Sequence, residues 1–182
     1  MRSGWKLLKK KLVYPQQWAA VEAWDMRLPR GGERTFYVNR GIDFVMVAAQ
    51  TQSGRMIVPR QYYVAAQKKM PTLVAGYIDK GEQPLQAAKR ELLEETGYKA
   101  DKIIALSTSI KGKYMTGTIY HFLALDAKKI QEQALEPTED ITVATMATAQ
   151  FKKLLSQHKL PDAFAEVCGW RALNYLENRL DG

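Results

Sequence analysis

A mixed α/β domain preceded by a small antiparallel β unit is the fold class this sequence predicts. Three observations lead there. Short extended segments rich in aromatic residues fill residues 1–40, strand-length apolar runs separated by turns begin at Ile42, and Pro84 to Gly97 carries the start and stop signals of a helix.

The elements follow in order. Lys11 to Tyr14 reads as extended, then Trp18 to Leu28 up to a turn at Pro29 and Gly31-Gly32, then Arg34 to Val38. A unit this small, carrying Trp5, Trp18, Trp24, Phe36 and Tyr37, is not stable alone and needs a partner surface. From Ile42 the pattern changes. Phe44 to Ala49 is an apolar strand, Gln52-Ser53-Gly54 a turn, and Met56 to Val58 a second strand before a loop. Pro84 suits a first helical turn, where its missing N–H costs nothing, and Gly97 suits the left-handed residue that ends a helix. That predicts a helix over Pro84 to Thr96. Extended segments at Ile103 to Ser107, Thr118 to Leu125 and Ile141 to Met146 come next, then two terminal helices. The last helix places Phe164, Val167, Cys168, Ala172 and Leu176 on one face as core packing.

Composition bounds the function. At 182 residues and 46% hydrophobic content the chain can build one core plus a small appendage. Its longest clear apolar run, Phe44 to Ala49, is far short of a membrane span. Met1 to Trp5 leads into Lys9-Lys10-Lys11 without the apolar core of a signal peptide, so a soluble cytoplasmic protein is expected. Cys168 is the single cysteine and reads as a small core residue. His121 and His158 are too few and too far apart for a histidine metal site. The net charge of +8 favours an anionic ligand; a small phosphate compound and a nucleic acid predict the same sign, and nucleic acid is not the favoured partner.

Chemistry concentrates in the predicted helix. Leu85, Ala88 and Leu92 recur at i, i+3 and i+7 as a face to bury, while Glu91, Glu94 and Glu95 stand at i, i+3 and i+4 on one side of the last turns. Three crowded carboxylates raise one another's pKa unless a strong positive charge sits between them. A hard divalent cation answers that need, since magnesium takes oxygen ligands and is usually completed by substrate phosphates. An acidic run beside Lys89 and Arg90 is ordinarily a solvated face. Here Gly76, Gly81 and Gly97 bracket the helix, and the loop Gly76 to Glu82 lets the backbone approach a ligand closely, which reverses that reading.

The pattern Gly76-x5-Glu82-x7-Arg90-Glu91-Leu92-x-Glu94-Glu95-x-Gly97 resembles the Nudix box with every position filled. Leaving the apolar Leu92 aside, the seven other identities coincide by chance with probability on the order of 10⁻⁹ per starting position. The resemblance implies a Nudix α/β/α sandwich with a mixed sheet, its catalytic domain at 41–182 after the β unit at 1–40. It implies Mg²⁺, with Mn²⁺ as the alternative, held by Glu91, Glu94, Glu95 and the Ala75 carbonyl; Arg90 braces the glutamates and Glu82 supports the loop. The reaction implied is attack of water on phosphorus in a nucleoside diphosphate linked to another group.

Arg40-Gly41, Arg60-Gln61-Tyr62-Tyr63 and the loop Val74 to Glu82 are similar to the branch acting on nucleoside diphosphate sugars and ADP-ribose. There the N-terminal sheet packs across a homodimer and helps to bind substrate, so a homodimer is expected. Arg40 and Arg60 are the candidates to grip the pyrophosphate, by the planar fork of the guanidinium. Phe36 and Tyr37 are the candidates to stack on a base. A further carboxylate is expected as general base on the loop before Ile141: Glu139 first, Glu136 second, Glu94 third. The chain departs from the branch at Leu73-Val74, where Leu-Pro is common, and at Tyr63, where an arginine is common. Lys111 to Met115 also lacks the proline usual in ADP-ribose-specific members, and its Tyr114 resembles a tyrosine of dinucleoside polyphosphate hydrolases. The expected activity is hydrolysis of nucleoside diphosphate sugars. The alternatives are a hydrolase of dinucleoside polyphosphates or RNA 5′ ends, and a sensor that binds such ligands without turnover.

Overall fold

The computed structural model describes residues 4–16 and 20–178; Trp18 and the start of the Met1 to Trp5 segment lie outside them. The chain divides into two compact units, Met1–Asp43 with Ser109–Ile119, and Phe44–Thr108 with Tyr120–Gly182. A single cut near residue 40 assigns Ser109–Ile119 to the larger domain, whereas it clusters with the N-terminal strands.

In the first unit β1 (Lys6–Tyr14), β2 (Ala20–Arg27) and β3 (Glu33–Arg40) form an antiparallel meander. Gly31 and Gly32, at φ 92° and 81°, supply the left-handed turn between β2 and β3. Asn39 of β3 lies parallel to Met115, and the Asn39 amide donates to the Tyr114 carbonyl at 2.9 Å. Among the described residues β1 pairs with β2 alone in this unit, and every residue of β1 is exposed. Its lysines are the usual protection of an unpaired strand edge, but Leu8 and Leu12 among them are 38% and 43% exposed.

The second unit holds the core. Its strands are β4 (Phe44–Thr51), β5 (Arg55–Ile57), β6 (Arg60–Tyr63), β7 (Lys68–Pro71), β8 (Val74–Tyr77) and β9 (Tyr98–Lys99). Then come most of β10 (Lys102–Gly112) and β11 (Met115–Lys129), followed by β12 (Ile141–Thr142) and β13 (Thr145–Ala147). The helices are α1 (Pro84–Thr96), α2 (Thr148–Ser156) and α3 (Ala163–Asn178). β4 is central: β11, β5 and β8 hydrogen-bond to it. Val45 to Ala49 are all buried, as a strand covered on both faces requires. Val45, Val47 and Ala49 join Ala87, Ala88 and Leu92 of α1 in one cluster. The alternate residues Met46 and Ala48 are also buried, and α3 packs on β4, with the Cys168 thiol donating to the Met46 carbonyl at 3.4 Å. Helix, sheet and helix thus make the expected sandwich. No helix among the described residues is long and apolar enough to cross a membrane.

Three expectations need correction. Ile141 to Met146 is not one strand, because β12 pairs with β6 in a separate three-stranded sheet while β13 pairs with β5. Leu85 stays 41% exposed; the buried stripe of α1 is Ala88, Glu91, Leu92 and Glu95, so two acids complete the face that Leu85 was expected to share. On α3, Val167 is exposed and Ala165, Gly169 and Leu173 are buried beside Cys168 and Ala172. Small residues explain that rotation. A side chain at Gly169 would press on Phe151 and Leu155 of α2, so its absence lets the two helices close together.

Candidate active site

The box folds as loop, helix and turn in the second unit. Pro84 opens α1, the Gln83 amide is taken by the Gln86 side chain at 3.3 Å, and Gly97 closes the helix at φ 74°. Ahead of the helix, β8 brings Gly76 against its acidic face. A Cβ at Gly76 would overlap the Glu91 carboxylate, so this glycine is required by close approach rather than by its own φ.

Arg90 ties the parts together. Its Nε and Nη2 fork onto the two Glu82 oxygens at 3.0 and 2.9 Å. Nη1 donates to Glu91 at 2.6 Å and to Glu94 at 3.1 Å, and Nη2 also reaches the Tyr77 carbonyl at 2.9 Å. These bonds hold the loop to the helix. They draw Glu82 below the ordinary carboxylate pKa, chiefly through the Arg90 hydrogen bonds, and raise Arg90 further above its own, chiefly through Glu82.

Burial sets the remaining acids apart. Glu91 is raised to about 7, first by burial, which outweighs the Arg90 hydrogen bond and charge, and then by the charges of Glu94 and Glu139. Glu95 is 2% exposed and is raised well above the usual range by burial and then by the charges of Glu91 and Glu139. Its Oε2 accepts a long hydrogen bond from the Ala75 amide at 3.4 Å, while its Oε1 is buried without a hydrogen-bond partner among the described residues. A buried carboxylate oxygen left in that state is costly, and such groups are ordinarily paired or bound to a cation. Glu94 is the more open of the three helix acids, its side chain 41% exposed.

Glu139 sits in a closed turn. The Glu136 amide donates to Glu139 Oε2 at 2.8 Å, and the Glu139 amide donates to the Glu136 carbonyl at 3.0 Å. Its charge is felt by both Glu91 and Glu95, which places it in electrostatic reach of the helix acids. Arg60 is exposed on β6, next to β12, and its Nη2 donates to the Lys69 carbonyl at 3.2 Å. In this arrangement no three acidic, histidine or cysteine groups among the described residues converge on a point where an ion could sit. Arg90 draws Glu91 and Glu94 to itself, and Glu95 turns toward Ala75.

The other candidates lie in the first unit. Phe36 and Tyr37 are neighbours on a strand and so face opposite ways. Phe36 stacks on Tyr114 at 6.0 Å between centroids and meets Trp5 edge-on at 5.9 Å. With Trp24 and Lys113 these rings line a cleft of about 370 Å³. Tyr37 is 66% exposed and Arg40 is exposed. Sequence reading missed Gln133, whose side-chain amide donates to the Glu95 carbonyl at 2.6 Å; a single glutamine in a loop carries no periodic or motif signal.

The chain is similar to known proteins over most of its length. It is 27% identical over 174 residues to the ADP-ribose pyrophosphatase of Bacillus subtilis (strain 168), an alignment covering 94% of this chain and 92% of that one. It is also 27% identical over 174 residues to the methanol dehydrogenase activator of Bacillus methanolicus, with the same coverage. Among solved structures, the crystal structure of an ADP compounds hydrolase superposes with a TM-score of 0.85 at 23% identity, covering 96% of this chain and 95% of that one, which supports the fold. The NUDIX domain model matches residues 39–167, a span that holds the loop, the acidic helix and the Glu139 turn, and the chain accordingly belongs to the NUDIX family, as one of its pyrophosphohydrolases.

Proposed function

We propose that the protein hydrolyses the pyrophosphate bond of a nucleoside diphosphate sugar, ADP-ribose among its substrates, to a nucleoside monophosphate and a sugar phosphate. The observation that carries this reading is the buried pair Glu91 and Glu95, with one Glu95 oxygen unpartnered, beside Glu94 and Glu139. Full-length similarity to an ADP-ribose pyrophosphatase supports the choice of substrate class.

The chemistry of these residues fits a hard divalent cation, which would draw Glu91, Glu94 and Glu95 together from the positions that Arg90 and Ala75 now give them. The donors are oxygens only, one of them a buried carboxylate oxygen without a partner, and Gly76 leaves room where a side chain would displace Glu91. Glu91, Glu94, Glu95 and the Ala75 carbonyl are the groups that would hold Mg²⁺ or, as the alternative, Mn²⁺. Such an ion supplies positive charge to the phosphoryl oxygens and eases deprotonation of water. Arg90 then keeps the helix acids and the loop in register through Glu82 and the Tyr77 carbonyl. Glu139, engaged through one oxygen by its own turn, accepts the proton of the attacking water. Arg40 and Arg60 bind phosphoryl oxygens by charge-assisted hydrogen bonds. One ring of the neighbouring pair stacks on the base: Phe36 from the aromatic cleft, or Tyr37 from the opposite face of the strand. The exposed apolar side chains of β1 support a homodimer.

Product formation from ADP-ribose, GDP-mannose, UDP-glucose, diadenosine tetraphosphate, a nucleoside triphosphate and triphosphorylated RNA, in Mg²⁺ and with Glu95→Gln as the blank, tests the reading. Turnover of sugar nucleotides, lost in the variant, is the expected result. A second reading rests on Tyr114, which stacks on Phe36 in the aromatic cleft, and predicts faster turnover of diadenosine tetraphosphate or RNA. Silence on every compound, with binding seen by calorimetry, would leave a sensor.

A further inference from the structure

An α-helix leaves its last carbonyls without donors from its own backbone, and whatever answers them is fixed to the end of that helix. In α1 the answer comes from two directions. The Gly97 amide donates to the Leu93 carbonyl at 2.8 Å, as a left-handed terminal residue does. The next two carbonyls belong to Glu94 and Glu95, and both are taken by the segment that leads to Glu139. The Ala134 amide donates to the Glu94 carbonyl at 2.9 Å, and Gln133 Nε2 donates to the Glu95 carbonyl at 2.6 Å.

The same Gln133 nitrogen reaches the Ile141 carbonyl at 3.3 Å. Ile141 begins β12, two residues beyond Glu139. One carboxamide therefore uses both of its hydrogens to join the start of the loop, the end of α1 and the strand that follows Glu139. Its orientation is fixed by chemistry, because a flipped amide would set its own oxygen against two carbonyls. Beyond the loop, β12 is held from the other side, where the Tyr62 amide donates to the Asp140 carbonyl at 3.0 Å. Between these two ties lies the turn that carries Glu139.

We propose that Gln133 is a positioning residue for hydrolysis: its carboxamide locks the loop from 133 to 141, and with it the Glu139 carboxylate, against the helical turn that carries Glu94 and Glu95. Backbone and side chains of that turn divide the work. The Glu94 and Glu95 side chains belong to the acid cluster, while their carbonyls set where the loop acid stands. A proton acceptor displaced by about 1 Å from the attacking water loses on the order of a hundredfold in rate, so a single amide can matter without touching substrate. The inference rests on the reading of Glu139 as that acceptor.

A double-mutant cycle separates the two ideas. Gln133→Met keeps the length and volume of the side chain and removes both hydrogen bonds. The cycle combines it with Glu139→Gln and reads kcat and KM for the sugar nucleotide turned over fastest in the panel, with melting temperature as the check on folding. Gln133→Met is expected to lower kcat roughly tenfold to a hundredfold with KM within about twofold, and to cost nothing further once Glu139 is glutamine. An equal loss in both backgrounds would overturn the proposal, because Gln133 would then act other than through Glu139. Unchanged kcat in Gln133→Met, with Glu139→Gln strongly impaired, would also overturn it while leaving the role of Glu139 intact. Full activity in Glu139→Gln would remove the parent reading first. If the methionine variant does not fold, Gln133→Asn, which keeps the amide but loses its reach, runs the same cycle.

Discussion

Two regions of this molecule break the ordinary rule of apolar inside and charged outside, in opposite directions. At the end of α1 two acids are buried, Glu91 at 7% and Glu95 at 2% exposure. On β1 of the N-terminal unit, Leu8, Leu12, Val13 and Tyr14 are all exposed beside lysines. Each exception goes against the stability of the isolated chain: a buried carboxylate lacks water, and an exposed apolar side chain orders it. The difference teaches what each region lacks. Buried acids call for a cation whose charge offsets their crowding, whereas an exposed apolar strand calls for a second surface.

The largest effect expected from breaking this comparison is at Glu95. If its burial serves a cation and not the fold, Glu95→Gln removes on the order of 10³-fold of activity while the protein prepared with chelator melts no lower than the wild type. The stabilisation that Mg²⁺ gives the wild type should vanish in the variant, since an ion that binds only the folded state raises its melting temperature. A variant that keeps its activity, or that unfolds in chelator, would return Glu95 to a structural role.

Arg90 comes next. It serves both as the local countercharge and as the tie between loop and helix, and its fork on Glu82 is bidentate. Lysine keeps the charge and loses the fork. Arg90→Lys should lower kcat/KM by roughly a hundredfold, because the Tyr77 carbonyl, Glu82 and Glu91 cannot all be reached by one ammonium. The melting temperature should fall by only a few degrees, for a loss of about 1–2 kcal/mol. A fold that collapses in Arg90→Lys would mean that the brace is chiefly structural.

The apolar strand gives a smaller effect on turnover and a clear one on mass. Leu8→Ser with Leu12→Ser should shift the particle from dimer to monomer by light scattering at micromolar concentration, and leave the far-UV spectrum intact. A wild-type protein that is itself monomeric would break this half of the comparison.

How much of this could be read from sequence depended on the kind of signal. α1 runs from Pro84 to Thr96 as expected, because proline and glycine act on the backbone directly and their effect does not wait for tertiary contacts. The bracing role of Arg90 and the supporting role of Glu82 came from the resemblance to the Nudix box, and the structure brings Arg90, Glu82, Glu91 and Glu94 into contact. The β6–β7 hairpin was not legible, since Arg60–Tyr63 and Lys68–Pro71 have no apolar alternation. The break between β12 and β13 hid inside an unbroken β-favouring run, because which sheet each half joins is decided by partners far away in sequence. The grouping of residues 109–119 with the first unit was illegible for the same reason.

His121 supplies the smallest effect and the control for the rest, as a buried titratable group whose charged form is positive rather than negative. It is 1% exposed, and burial, followed by the positive charge of Arg171, pulls it down to about 4. The sign follows from linkage. Unfolded histidine takes its proton near pH 6.5 and the folded one does not until about pH 4, so its contribution to stability is complete above pH 6.5 and is lost as the pH falls through that window. Glu95 is perturbed in the opposite sense, with a folded pKa raised, so its contribution is present at low pH and lost as the pH rises. Melting temperatures between pH 7.5 and 4.5 should therefore fall less steeply in His121→Gln than in the wild type, by a few degrees over the range, with activity at pH 7.5 retained. Glu95→Gln should instead remove, in chelator only, the stability that the wild type gains at this site as the pH falls toward the ordinary carboxylate range. Parallel pH profiles in the two variants would mean that burial alone, whatever the chemistry of the group, accounts for both sites.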